Sequence, residues 1–384
     1  MRITDVRERS VPISRYADPA LPPGGLTTSI VAIETDVLRA GKRIVGYGFS
    51  SIGRFAQGGL IRERFAPRLL AAAPEELIAA EGTNFDPFRA WSVMMRGEKP
   101  GGHGERCVAV GTLDMALWDI AAKIAEQPLY YFLSSRLNVV PVPTVNVYAG
   151  GGYYYPTDDI AALTNEIQRL LGGGYTRFKM KIGGKPVAED RKRIEAALSV
   201  TGEGARLAAD AMNAYDADTA LTAAQTFAPC GLWWFEDVCD PLDFATQAAV
   251  ARVYPGAIAA GEALFSDAEA KLLDAHGGLR TDRDILLFDP VHCYGVPGYL
   301  RIVEAMTQRG WPRSAFWPHG GHIFSLHLVA ALGLGGAEVN PLCFAPFGGL
   351  QDGVTPVDGR VAPSQCPGIG FESKPDLRRL FETL

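Results

Sequence analysis

Cysteine is sparse and unpatterned. Six residues in a chain of 384, at positions 107, 230, 239, 293, 343 and 366, form no C-x-x-C pair. That excludes a disulfide framework and a thiolate zinc site. A basic excess is also missing: 37 Lys and Arg face 43 Asp and Glu, for a net charge of -6, and no run of like charge occurs. Nucleic acid is therefore not an expected partner. No apolar run reaches membrane-spanning length, and the first 30 residues hold no uninterrupted signal-type core. The reading is a soluble, cytoplasmic protein with no membrane partner. The glycine triplets at 150–152 and 172–174 are not a G-x-G-x-x-G fingerprint opening a helix, which leaves little support for a nucleotide site. What the chain does have is core material: 47% hydrophobic against 21% charged residues, enough for two or three domains.

Residues 1–50 read as β, with runs at 30–35 and 43–48 about a turn at Ala40-Gly41-Lys42. Residues 60–133 read as helical. Apolar residues at 110, 113, 117, 120, 121 and 124 give one helical face over 108–124, and Pro128 stops it. From about residue 140 the pattern changes. Short apolar or β-branched runs fall at 142–149, 177–181, 206–210, 232–236, 257–262, 285–289, 314–318 and 334–338. Helical segments such as 160–171, 188–200 and 219–227 lie between them. This alternation predicts parallel βαβ units in an α/β protein, closing as a (β/α)7–8 TIM-like barrel. The Gly- and Pro-rich tail from Phe347, with a hairpin turn at Asp358-Gly359, is expected to pack back on the N-terminal part. The expected units are 1–135, 136–345 and 346–384.

The chemistry lies in how the β runs end. Lys181, Asp210, Glu236, Glu262, Asp289, His319 and Glu338 close successive runs, at intervals of 26 to 30 residues until the last, which is 19. One Asp after a strand is commonly a helix N-cap. Seven ionisable groups in register, a Lys and a His among them, are poorly explained as caps. In a barrel they would converge on the mouth where active sites sit. Asp210, Glu236 and Glu262 offer three hard oxygen ligands, which suits Mg²⁺ rather than zinc, and three such charges repel unless a cation lies between them. Lys179 and Lys181 share a strand face, so Lys179 should depress the Lys181 pKa and help make it a base. Asp289 would orient the imidazole of His319, which lies across the mouth from Lys181. His322 is open to two readings, a substrate contact or a structural residue.

The ordered set Lys-x-Lys, Asp, Glu, Glu, Asp–His and final Glu resembles the enolase superfamily, and within it the mandelate racemase subgroup. The likeness runs through nearly the whole chain. Its N-terminal β hairpin and helices resemble an α+β capping domain, and residues 114–123 resemble the helix that enters the barrel. The resemblance implies a carboxylate substrate on Mg²⁺, a base that takes the α proton, and an enediolate held by the metal. It assigns Lys181 as that base, with Lys179 near the carboxylate, and gives Glu338 the part of a protonated donor to the substrate carboxylate. Residues 210–215, 234–244 and 317–322 are most similar to acid-sugar and tartrate-type dehydratases. The implied reaction is D-tartrate to oxaloacetate plus water, with His319 protonating the departing hydroxyl. A racemase or epimerase, or a dehydratase of another acid sugar, would use the same Lys/His pair. Glu338, Lys99, Tyr153, His322 and Asn340 are the candidate substrate-binding residues, Lys99 for a distal carboxylate. Specificity in this family lies in loops such as 15–30 and 48–58, where no residue can be matched. A homo-oligomer is expected.

Overall fold

The computed structural model describes residues 1–18, 20–21 and 24–384; positions 19, 22 and 23, within the stretch 15–30, lie outside the described residues. Strands β1 (Ile3–Pro12), β2 (Thr27–Arg39) and β3 (Lys42–Phe49) form an antiparallel sheet in that order. Arg39 pairs with Lys42 across the two residues Ala40 and Gly41, both at positive φ (49° and 76°), which is the tight turn that matches strand twist. On β2 the side chains alternate between two cores: Ile30 packs into the barrel-side core, Val31 and Ile33 into a smaller core of N-terminal helices.

The helix Glu105–Ile124 lies between those two cores. The periodicity predicts one apolar face. The structure instead buries it on nearly every side, with Met115 and Trp118 in one core and Leu113, Leu117 and Ile120 in the other. A helix flanked by two apolar layers shows no clean amphipathic stripe.

The second sheet is parallel. Its strands are β4 (Val145–Gly150), β5 (Phe178–Lys181), β6 (Leu207–Asp210), β7 (Phe235–Glu236), β8 (Ile258–Ala260), β9 (Ile285–Leu286) and β10 (Ala337–Val339). They run β10-β4-β5-β6-β7-β8-β9. The run predicted at 314–318 is reduced to a bridge between Phe316 and Leu286. Trp317 and His319 still donate to Leu286 and Leu287 at 2.9 and 3.1 Å, and Gly335 donates back to Phe316 at 3.1 Å. This segment therefore closes the ring between β9 and β10. Pro318 has no N–H to give, so a regular ladder cannot continue there. The intervening helices include Asp159–Gly172, Val187–Thr201 and Ala217–Phe227, each within two residues of its predicted span.

After the barrel, Asp358 and Gly359 make the expected tight turn, and β11 (Arg360–Val361) pairs antiparallel with β4. The C-terminal residues also meet the N-terminal sheet, where the Phe381 ring stacks on Tyr47 at 4.7 Å. His327, on the helix Ile323–Leu332, ties these parts together: Nδ1 accepts the Tyr130 N–H at 3.2 Å and Nε2 donates to the Ile369 carbonyl at 2.9 Å. Burial lowers its pKa to about 4, so it is neutral when folded. A histidine of this kind binds more protons unfolded, so its stabilisation is full above about pH 6.5 and lost as the pH falls toward 4. Stability is expected to drop by about 1–3 kcal/mol over that range, and His327→Gln should flatten the slope in urea titrations at stepped pH.

Among the described residues, no helix is long and apolar enough to cross a membrane.

Candidate active site

The parallel register sets the site. Lys181 on β5 is level with Asp210 on β6, which is level with Glu236 on β7. All three sit at the carboxyl ends of their strands and are buried. Glu262, Asp289 and His319 follow the ends of the next strands, and Glu338 lies on β10, level with Tyr148. The structure thus brings the predicted metal-ligand and acid/base residues to one end of the barrel. Lys181, Glu262, His319, Glu338, Asn340 and Tyr153 line one cavity of about 230 Å³ there.

Beneath that cavity the charges interlock. Lys179 Nζ lies 2.6 Å from Glu236 Oε1, 3.1 Å from Glu338 Oε1 and 3.7 Å from Asp210 Oδ2. Lys181 pairs with Asp210. Both lysines differ from expectation. Burial favours their neutral forms, but Asp210, Tyr153 and Glu262 together outweigh burial and the Lys179 charge at Lys181, so its pKa is raised rather than depressed. Lys179 is raised likewise by Glu236 and Glu338. Glu338 also departs from the expected protonated donor. Burial alone would raise its pKa, yet Lys179 and His319 hold it below the usual value, and its Oε2 accepts the Gly320 N–H at 3.0 Å.

Oxygen ligands are abundant. Asp210, Glu236 and Asp237 have carboxylate oxygens within 4.8 Å of one another, and Asp237, which was not predicted, takes the place in this tight trio expected for Glu262. Burial and the Glu262 charge push the Asp237 carboxyl well above its ordinary range. Glu262 Oε2 is buried and has no hydrogen-bond partner. Crowded carboxylates with an orphaned acceptor, and no sulfur or imidazole among them, fit a hard divalent cation such as magnesium.

On the other side His319 Nδ1 is 2.9 Å from Asp289 Oδ2, and its Nε2 is 3.7 Å from Glu262 Oε2. Burial pulls the imidazole pKa down, but Glu262 and the Asp289 bond push it up to about 9, so the ring is cationic near neutrality. Asp289 itself stays ionised despite burial, because His292 and His319 hold its pKa below the carboxylate range. Ser51 Oγ donates to Asp289 Oδ2 at 2.6 Å and meets His322 Nε2 at 3.0 Å.

Two candidate substrate residues are placed elsewhere. His322 does not line the cavity; it lies behind Ser51, edge-on to Phe49 at 4.9 Å, and burial lowers its pKa to about 4. Lys99 lines a separate cavity with Trp91, Tyr294 and Arg301. The backbone there is tied to the N-terminal helices by Arg106, which donates to the Lys99 carbonyl at 2.9 Å. Of the consecutive Tyr153, Tyr154 and Tyr155, Tyr153 lines the site, its ring centroid 5.5 Å from Lys181 Nζ. Tyr154 donates to Asp190 at 2.6 Å and Tyr155 to Glu166 at 2.8 Å, so both are structural. Asn340 is held against Gly321, at φ +63°, where a Cβ would overlap its amide.

The cavity also holds residues the sequence reading missed: Arg15 after β1, Arg54 after β3, Asn213, and His292. Loops carry no periodicity that would flag the first three. His292 had one signal, its position three residues after Asp289.

This fold and site define a barrel enzyme of the enolase type, with acid/base groups and carboxylates gathered at one mouth. The chain belongs to the enolase superfamily: residues 162–377 match the family described as enolase C-terminal domain-like. Arabinonate dehydratase of Saccharolobus solfataricus is 28% identical over 357 residues, covering 90% of both chains. L-talarate/galactarate dehydratase of Salmonella typhimurium is 27% identical over 91% of this chain and 82% of its own. L-talarate dehydratase from Polaromonas sp. JS666, solved with magnesium and L-glucarate, superposes with a TM-score of 0.74 at 26% identity, over 96% of this chain and 94% of that one.

Proposed function

We propose that the protein is a magnesium-dependent dehydratase of a hydroxy acid, with D-tartrate as the particular substrate and oxaloacetate plus water as products. The observation that carries this is the pairing, in one cavity, of Lys181 with the Asp289-bound His319 above a cluster of carboxylates. Dehydratase relatives of sugar acids support the reaction class. D-tartrate is the narrower proposal, and it rests on the cavity. Its volume, about 230 Å³, is below the range of roughly 300–1,000 Å³ common for ligand pockets. At its rim Arg15 and Arg54 have no ion-pair partner among the described residues; their guanidinium carbons lie 5.8 and 4.6 Å from the centroids of the Tyr153 and Phe265 rings. Two free guanidinium groups suit a second carboxylate and take the role expected of Lys99.

Asp210, Glu236 and Glu262 would hold the magnesium ion, with Asp237 beside them. When bound, that ion polarises the substrate carboxylate and acidifies the adjacent C–H. If Asp210 held the ion, its pairing with Lys181 would weaken, and the nearby Lys179 charge would then favour the neutral form of Lys181. Lys181 takes the proton from C2. His319, oriented and charged through Asp289, gives its proton to the C3 hydroxyl, which leaves as water. The two groups stand on strand positions separated by β4 and β10, and in this reading they act on opposite faces of the substrate, giving an anti elimination. The resulting enol becomes the ketone by taking a proton at C3.

The test is incubation with magnesium and a panel of tartrate isomers, aldarates and sugar monoacids, with keto acid trapped by semicarbazide. Strong signal from a six-carbon sugar acid and none from tartrate would refute the substrate and leave the dehydratase standing. Arg54→Met should raise KM for a diacid about tenfold, the worth of one partly exposed charged hydrogen bond, with a smaller effect on kcat.

A further inference from the structure

The loop after β3 holds a serine in an unusual backbone state. Ser51 is buried and sits at φ 59°, the left-handed region that few residues other than glycine adopt. Strain of that kind persists where the surroundings enforce it, and it collects at functional sites. Here the backbone is tied to the N-terminal sheet: Thr28 Oγ1 donates to the Ser51 carbonyl at 3.3 Å, and Ser50 N–H to the Ser29 carbonyl at 3.0 Å. The Ser51 hydroxyl meets the barrel instead, donating to Asp289 Oδ2 at 2.6 Å. That same oxygen lies 2.9 Å from His319 Nδ1, while Oδ1 accepts the N–H groups of Val291 at 2.7 Å and His292 at 3.3 Å. An ionised carboxylate can only accept, so the hydroxyl and His319 Nδ1 both give their protons to it.

The one proton of the Ser51 hydroxyl is therefore committed to Asp289. Its oxygen is also 3.0 Å from His322 Nε2, which must then carry a proton and donate in turn. His322 Nδ1 is left as the bare nitrogen, and it is the ring atom without a partner. The opposite tautomer would bury an unpaired N–H and set two lone pairs against each other. Gly320 lies over this chain: a Cβ there would stand 2.7 Å from His322 Nε2 and 3.0 Å from Ser51 Oγ.

We infer that Ser51 is a positioning residue for the Asp289–His319 pair, and that His322 acts through it. His322 Nε2–H fixes the Ser51 hydroxyl, the hydroxyl fixes the Asp289 carboxylate, and the carboxylate fixes the imidazole of His319 with Nε2 turned to Glu262, 3.7 Å away. The inference rests on the dehydratase reading, in which His319 gives its proton to the departing hydroxyl. It adds that a loop of the N-terminal sheet must be docked on the barrel for that step. Neither Ser51 nor His322 lines the cavity, and neither gains or loses a proton.

The test has two arms. In the first, nitrogen-15 and carbon-13 NMR of histidine-labelled protein reads the His322 tautomer, with the signal assigned by its loss in His322→Gln. A proton on Nε2 is expected; a neutral ring protonated on Nδ1 would overturn the chain. In the second, keto acid and deuterium in unconverted substrate are measured with magnesium and D-tartrate in D₂O, on variants whose folding is checked by melting temperature. Ser51→Ala should lower kcat for keto acid about 30-fold, as expected for one hydrogen bond to a charged group, with KM changed less than threefold. Exchange of the α proton should fall less than threefold, because it needs Lys181 and not His319. Ser51→Gly, which relieves the positive φ but lacks the hydroxyl, should show the same loss. His322→Phe should cost about fivefold, His322→Gln should recover most of that, and His322→Phe should add nothing to Ser51→Ala. Keto-acid formation within threefold of wild type in folded Ser51→Ala and Ser51→Gly would overturn the assignment, as would equal loss of exchange and dehydration, or full additivity of the two substitutions. A wild type that forms no keto acid from any hydroxy acid, with His322 protonated on Nε2, would instead refute the dehydratase reading and the role given to the chain within it.

Discussion

Replacing Lys181 by Ala should lower kcat/KM by about 10²–10⁴-fold, the contribution typical of a positioned general base. It should also abolish exchange of the substrate α proton with D₂O. The second readout matters more, because it separates the base from its neighbours. Lys179 shares the strand face but is buried beneath the cavity, locked to Glu236 and Glu338 at 2.6 and 3.1 Å. It cannot move to the substrate without leaving those carboxylates unpaired, which is costly in a buried site. A Lys181→Ala protein that still exchanges at the wild-type rate would move the base elsewhere.

Glu236→Gln should have an effect of similar size by another route. Loss of one anionic ligand is expected to weaken magnesium binding in calorimetric titrations and to cut turnover by about 10³-fold or more, since the metal contributes several kcal/mol to the barrier. The substitution also has a cost in the metal-free protein. Glu236 Oε1 accepts from Lys179 at 2.6 Å and Oε2 from the Trp234 indole N–H at 2.7 Å. An amide has one acceptor atom for these two donors, so one of them faces an NH₂ group. The protein should still fold, with stability reduced by about 1–3 kcal/mol in urea unfolding.

The parts of this site that were legible in the sequence are those tied to a repeating element. Lys181, Asp210 and Glu236 end adjacent parallel strands in exact register, so one strand period revealed all three. The same period located the segment carrying His319, although Pro318 prevents a full strand there. Protonation states were not legible. The raised pKa of Lys181 and the ionised state of Glu338 depend on distances to Asp210 and Lys179 that only the folded barrel sets. Loop residues were harder still. Lys99 looked like a free cation, but its loop is held at a different cavity, while Arg15 and Arg54, far apart in sequence, line the same one as Lys181. Ser51 joins Asp289 across 238 positions of sequence, and no local pattern announces such a contact.

The most direct test of the central claim is a proton NMR time course of the wild-type enzyme with magnesium and D-tartrate in D₂O. The account predicts conversion to oxaloacetate, with no build-up of another tartrate isomer. Accumulation of a deuterated tartrate epimer without keto acid would contradict it, and would make Lys181 and His319 the two bases of a racemase or epimerase instead.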